Sequence, residues 1–497
     1  MSVSTGRAVV VKTVADVVTR GAGVVTFPLL ARLVGPDGYG AYSQLLTIVG
    51  FAAPIASLGL SNAMVRFFSG ASWDRGTSGL ARRALLMGAS GGLAVSLLVM
   101  IFAGDLNAFL LRWPQGESLF RSGALLIGVS SMEAIVLDLL RARGRLIGYS
   151  GYQAGQAIVT LGSLIVAIPL GLGLVGLVRL LVIARATLLV GPLLRALSVG
   201  SVNRAGPEPL DQTVTLPRML RFGMPLVVVG MGLWMIHFGD RLVVGRFLSA
   251  TDLGLYAAAY ALATVVLGAG APIHLPAYPR IVEAVQRGPG ALRGEIQTVH
   301  RFLNLSVIPA AVFLALGASD LLRLLGGEAF SIGVLIPVAL IVAMGLDQWN
   351  GLAHYVLLSF DRTRWLQGAW LVAGFANVAA SWVVVPRWGL SGAAITTLVT
   401  FVLLEAAIVR QASRHVSILQ AYRWGHASRT TFAALLAGLL AQPLLNADAA
   451  LRGVLTSAAV FAAVFVAVGF AARAITRDDF RKLGEALGLL RSPFRLR

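Results

Sequence analysis

Lys12, Asp16 and Arg20 recur at every fourth position of an otherwise apolar stretch, so the three share one stripe of a helix. Trp234, His237, Asp240 and Arg241 fall largely on one face of a second apolar stretch, and Asp347, Asn350 and His354 at i, i+3, i+7 mark a third. Guanidinium groups suit phosphate, so Arg20, Arg66, Arg241 and Arg280 are the candidate contacts to an anionic substrate. Asp16, His237, Asp240 and Asp347 can take up and release a proton or Na⁺ and are the candidates for ion coupling. The plainer readings stand beside these: Asp16–Arg20 and Asp240–Arg241 as packing pairs, and His237 as a core histidine bonded to a carbonyl. His274 lies between Pro272 and Pro276, with Pro279 and Arg280 following, which predicts a bend. Glu133 and Asp138 sit about 140° apart on a helix, so at most one of them faces a central cavity. Arg179 can snorkel outward while Arg185 lies deeper, and Glu405 is placed to pair with Arg410 or another neighbour.

The elements that carry these residues are membrane spans. The chain is 57% hydrophobic and 13% charged, with a mean hydropathy of +0.81, more apolar surface than a soluble chain of this length can hide. Crossing ~30 Å of hydrocarbon takes about 20 residues. Fourteen runs fit, near 8–33, 41–67, 80–103, 122–140, 147–170, 172–195, 220–244, 253–279, 300–318, 331–358, 365–386, 388–410, 429–446 and 452–474. Their length and Leu, Val, Ala and Gly content predict helices rather than barrel strands. A charge at mid-bilayer costs at least ~2.5–3.5 kcal/mol, so each polar stripe must face protein or water.

The net charge of +19 would suggest nucleic acid in a soluble chain. Here it follows the positive-inside rule: with the N-terminus in the cytoplasm, roughly 30 of the 41 basic residues fall on the inner side. Both termini are then cytoplasmic, in a multi-pass membrane protein with no nucleic-acid partner. Cysteine is absent, which excludes disulfides and thiol chemistry. The first apolar run carries charges and lacks a clear cleavage site, so no signal peptide is expected.

The chain also repeats itself. ARLVGPDGYGAY, with Arg32, Gly40 and Tyr42, returns as GRFLSATDLGLY, with Arg246, Gly254 and Tyr256. LGLVG, with Gly173 and Gly176, returns as WGLSG, with Gly389 and Gly392, at nearly the same offset of about 215 residues. A repeat with an even number of spans predicts two parallel six-helix lobes related by an axis along the membrane normal. The expected division is an N-terminal lobe over 1–200, a cytoplasmic linker over 201–219, a C-terminal lobe over 220–411, two further spans over 412–475 and a tail over 476–497. Phe480, Leu483, Leu487 and Leu490 share a face of that tail and predict an interfacial amphipathic helix.

Catalytic signatures are missing from the sequence: it has no Walker A, HExxH or GxSxG motif. GLGLVG at 171–176 fits the spacing of a dinucleotide fingerprint, but no strand precedes it and no acidic residue follows at the required distance. No cofactor or metal is expected, and the protein is not expected to be an enzyme.

The stretch GVVTFPLLARLVGPDGYGAYSQLLTIVGFAAPIASLGLSNAMVRFF resembles the start of bacterial polysaccharide and O-antigen flippases of the multidrug/oligosaccharidyl-lipid/polysaccharide (MOP) superfamily. GDRLVVGRFLSATDLGLYAAAYALA followed by PAYPR resembles the start of their second lobe, and VVVPRWGLSGAAITTLVT their turn between spans 11 and 12. The likeness covers nearly the whole chain. It implies an all-α polytopic protein with two lobes around a central cavity, which carries an undecaprenyl-diphosphate-linked glycan across the inner membrane by alternating access. It further implies coupling to H⁺ or Na⁺, and contacts with polymerase or chain-length machinery. A peptidoglycan lipid-precursor flippase and a MATE-like multidrug antiporter share the architecture. A membrane glycan polymerase or ligase, which needs a sizeable outer loop, is the rival from another class.

Overall fold

The computed structural model describes residues 3–71, 73, 75–197, 213–447, 451–476 and 479, with backbone alone for 3–18, 20–24, 75, 197, 275, 446–447 and 451. Among these, helices run in the order α1 (Val3–Ala56), α2 (Leu60–Phe68), α3 (Arg75–Ile101), α4 (Ala103–Leu110), α5 (Gly116–Ala142), α6 (Leu146–Ala167), α7 (Gly173–Leu197) and α8 (Leu216–Phe247). They continue with α9 (Ala250–Arg287), α10 (Pro289–Leu316), α11 (Ala318–Gly326), α12 (Leu335–Ser359), α13 (Thr363–Ala412), α14 (Ile418–Ala421), α15 (Trp424–Ala447) and α16 (Leu451–Ala471). No strand occurs among the described residues, and each of the fourteen apolar runs coincides with helical backbone over most of its length. Nine described helices are long and apolar enough to cross a membrane, or ten if the last part of α1 and α2, bent by 49°, form one broken span.

Two helices exceed one crossing. At 1.5 Å per residue a 54-residue helix such as α1 would reach about 80 Å, far beyond the hydrocarbon core. Each carries a glycine break instead: Gly35 in α1 (φ 66°, ψ −177°) and Gly389 in α13 (φ 57°, ψ −143°). A side chain with a Cβ resists these angles, whereas glycine adopts them freely. The breaks fall where the apolar runs 8–33 and 41–67, and 365–386 and 388–410, meet. The repeat partner of Gly389, Gly173, which opens α7, also has a positive φ, 59°.

The helices gather into two compact units. The first comprises Met1–Ala257, Leu325–Phe330 and Trp370–Ala393. Its core includes Leu60, Met64, Phe68, Leu85, Ile135 and Leu139, and its helices approach closely through small residues, as membrane helices do. At the crossing of α1 and α9 the glycines of the first repeat motif meet. A Cβ on Gly40 would stand 2.0 Å from the Ala250 carbonyl oxygen, and one on Gly254 would stand 1.8 Å from that of Pro36.

The second unit comprises Ala258–Leu324, Ser331–Ala369 and Ala394–Arg497. There α15 packs its alanine face, Ala433, Ala434, Ala437 and Ala441, with Phe461 and Phe465 of α16, while Val312 and Phe313 of α10 close the cluster. Arg301 on α10 holds the chain just past α16: its Nη2 donates to Asp479 Oδ2 at 2.5 Å and to Thr476 Oγ1 at 2.9 Å. The backbone N–H of Thr476 also donates to Asp479. The Gly206–Pro209 stretch of the expected linker and the amphipathic segment 480–490 lie outside the described residues.

Candidate functional site

A polar interior of the second unit is built by α9, α12 and the part of α13 beyond its break. Asp347 and His354 stand seven residues apart on α12, about 10 Å along the axis but close to one azimuth. Their side chains converge with Glu405 of α13: the nearest ligand atoms of all three lie within 4.8 Å of one another. His354 Nε2 straddles the Glu405 carboxylate at 3.2 and 3.3 Å. Glu405 is 1% exposed, so its charge is taken out of water as well as lipid. Gln348 donates from Nε2 to Asp347 Oδ2 at 3.2 Å.

His274 of α9 completes the wall. Its Nε2 lies 3.0 Å from the Gln348 carbonyl. A carbonyl only accepts, so Nε2 carries the proton and Nδ1 holds the lone pair. That Nδ1 is buried without a hydrogen-bond partner among the described residues. The ring fits because α12 has Gly351 opposite it, where a Cβ would come within 2.5 Å of His274 Cε1. Together these groups border a cavity of about 540 Å³, apolar at Leu267 and Ala271 and polar at His274, Asp347, His354 and Tyr355. Among the described residues, no lysine or arginine lines it.

In the first unit several charged groups have named partners among the described residues. Glu133 on α5, 2% exposed, accepts from Tyr152 Oη of α6 at 3.0 Å and from Arg185 Nε of α7 at 3.2 Å. Asp138, on another azimuth of α5, pairs with Arg141 at 3.3 Å. Arg179 is exposed and donates to Ser122 at 3.2 Å. Asp240 on α8 is fully buried and accepts from Tyr256 Oη at 2.5 Å, so the tyrosine of the second motif copy serves a candidate ion ligand.

The other candidates are dispersed. Arg241 reaches Ser43 Oγ at 3.4 Å and covers the Phe238 ring at 4.8 Å. His237 is half-buried beside Phe238. Arg66 is exposed at the end of α2, over the Phe222 ring. In the second unit, Arg280 forks onto Glu295 at 2.8 and 3.2 Å. The side chains of Lys12, Asp16 and Arg20 lie outside the described residues. Of the eight candidates, the structure places Asp347 in a cluster of titratable groups on a cavity. Glu405 joins that cluster through His354 rather than Arg410, a partnership across 51 positions that no local spacing announces.

This helical, glycine-broken architecture has known counterparts. A family model described as polysaccharide biosynthesis protein matches residues 29–334, more than half the chain, and the protein belongs to that family. Similar solved structures include the lipid II flippase MurJ in an inward closed conformation, with a TM-score of 0.72 at 12% identity, covering 93% of this chain and 99% of that one. An inward-facing MATE multidrug resistance transporter of the MOP superfamily follows with a TM-score of 0.61 at 14% identity, covering 84% and 99%. The succinoglycan biosynthesis transport protein ExoT of Rhizobium meliloti is 26% identical over 278 residues, 55% of this chain and 53% of that protein. The aligned part thus spans about half the length of that relative. The protein is a multi-pass membrane protein with the fold shared by MurJ and the MATE transporters.

Proposed function

We propose that the protein translocates a lipid-linked oligosaccharide or polysaccharide precursor, of the undecaprenyl-diphosphate type, across the bacterial inner membrane by alternating access. The observation that carries this reading is a conjunction: a polysaccharide-biosynthesis family match over 29–334 on a fold shared with a lipid-linked precursor flippase. The chemistry agrees. A diphosphate-sugar head cannot cross hydrocarbon unaided, whereas its lipid tail can remain in the bilayer. Arg20, Arg66, Arg241 and Arg280 are proposed to meet the diphosphate, and an H⁺ or Na⁺ gradient to bias the lobes through Asp16, His237, Asp240 and Asp347. In this reading the lobes are 1–200 and 220–411, joined by 201–219, with 412–475 and the tail appended. Both termini are cytoplasmic, the polymerase or chain-length machinery is the partner, and the protein transports without catalysing a reaction.

Vesicles reconstituted with the protein test this directly. Labelled undecaprenyl-diphosphate-linked sugar should become accessible on the opposite leaflet, and Arg241→Ala should slow it while inserting normally. Transport of a labelled cationic drug alone would favour the multidrug reading, and flipping confined to lipid II the peptidoglycan one. Formation of a glycosidic bond by the purified protein would refute a pure transporter.

A further inference from the structure

We infer that Asp347, His354 and Glu405 form a binding site for a divalent first-row transition-metal ion. Charge is the first argument. With a neutral imidazole the cluster holds two carboxylates inside a helical membrane protein, and among the described residues no lysine or arginine lines the cavity beside it. Glu405 is buried and Asp347 half-buried, and carboxylates so placed are stabilised by a compensating cation. A divalent ion offsets both at once.

The donor set is the second argument. Na⁺, Mg²⁺ and Ca²⁺ favour all-oxygen shells, whereas one imidazole nitrogen with two carboxylates suits Zn²⁺, Mn²⁺ and their neighbours. Geometry agrees with this. Ligand bonds of about 2.0–2.2 Å put neighbouring donors of one metal roughly 3–3.5 Å apart, and His354 Nε2 already lies 3.2 and 3.3 Å from the Glu405 oxygens. The 4.8 Å limit on the whole set leaves only a side-chain adjustment of Asp347 to close the triad. Metal binding requires the His354 tautomer with its proton on Nδ1.

The surroundings are those of a built site. Gln348 orients Asp347 through a 3.2 Å hydrogen bond and holds His274 through its carbonyl, the kind of support that ligands receive from neighbouring groups. The cavity of about 540 Å³ gives an entry path and room for water in the remaining coordination positions.

Binding is independent of what the protein transports, so the test needs no flipping assay. Purified protein, freed of any histidine tag, is titrated calorimetrically with Zn²⁺ in detergent. One ion should bind per chain. His354→Ala should abolish binding, Glu405→Gln should weaken it by roughly tenfold or more, and His415→Ala should leave it intact. Excess Mg²⁺ should not compete. Should His354→Ala fail to fold, by size-exclusion elution, Asp347→Asn takes its place with the same expected weakening. Absence of binding by the parent protein, equal binding in the cluster variants, or displacement by Mg²⁺ would each overturn the assignment. The first outcome would leave a simple His–Glu hydrogen bond.

Discussion

Glu133, Arg185 and Tyr152 show how a charge is tolerated within a helical membrane unit: every partner of the carboxylate comes from another helix. Removing one member strands the other. Glu133→Ala should destabilise the protein by about 3–5 kcal/mol, read as a lower Tm in detergent. Glu133→Leu combined with Arg185→Met should recover much of that loss, because an apolar pair of similar volume has no desolvation to offset. A single variant with parental Tm would show that Arg185 is solvated after all. Asp479, beyond the last span, gives a pH-dependent counterpart. Burial raises its pKa, but the hydrogen bonds from Arg301 and Thr476 and the Arg301 charge outweigh this and hold it below the ordinary aspartate value. A depressed folded pKa stabilises above the unfolded value and is lost as pH falls through the folded one. Asp479→Asn should therefore lower Tm at neutral pH, and the gap to the parent should close in acid, below the ordinary aspartate range. A gap that persists there would point to shape rather than charge. At this scale the sequence revealed one-helix relations. Asp347 and His354 share a face through their i, i+7 spacing, whereas the His354–Glu405 and Glu133–Arg185 pairs span 51 and 52 positions and depend on packing.

Among the elements, the apolar runs were legible because span length and composition follow from the thickness of the bilayer. Short α4, α11 and α14 were not, since eight, nine and four residues are too few to stand out beside the spans. The two breaks differ in kind from the motif crossing, and substitution should tell them apart. Gly254→Ala places a Cβ 1.8 Å from the Pro36 carbonyl oxygen, and backbone cannot step aside as a flexible side chain can. A cost of about 1–3 kcal/mol or more is expected, with loss of folded protein on size-exclusion chromatography. At Gly389 nothing stands within 4 Å of such a Cβ, so alanine there meets only the strain of a positive-φ, extended-ψ backbone, about 1–3 kcal/mol. Thermal melts should rank Gly254→Ala as the more damaging. The reverse order would contradict the close crossing of α1 and α9.

For the whole molecule, the absence of cysteine makes topology directly testable. Arg145→Cys, in the basic loop after α5, should react with an impermeant maleimide only from the cytoplasmic face, and Gln115→Cys, ahead of α5, only from the opposite face. Both residues are exposed. Labelling of the pair from the same side would break the proposed orientation. The sequence carries two matched motifs, but spacing alone did not reveal that copies of the first motif touch.

That contact is reciprocal. Gly40 meets the carbonyl of Ala250 and Gly254 meets that of Pro36; Ala250 is the repeat counterpart of Pro36, as Gly254 is of Gly40. Such exchange of partners is the signature of an isologous interface in a two-fold dimer. A half-length ancestor would thus have owned a self-complementary surface and paired with its own twin. Joining two copies in one gene would make that subunit contact intramolecular and free each copy to mutate alone, which a homodimer forbids, since there every substitution appears twice. Asp240 and Arg241, whose counterparts in the first copy are Thr26 and Phe27, are what that freedom permits.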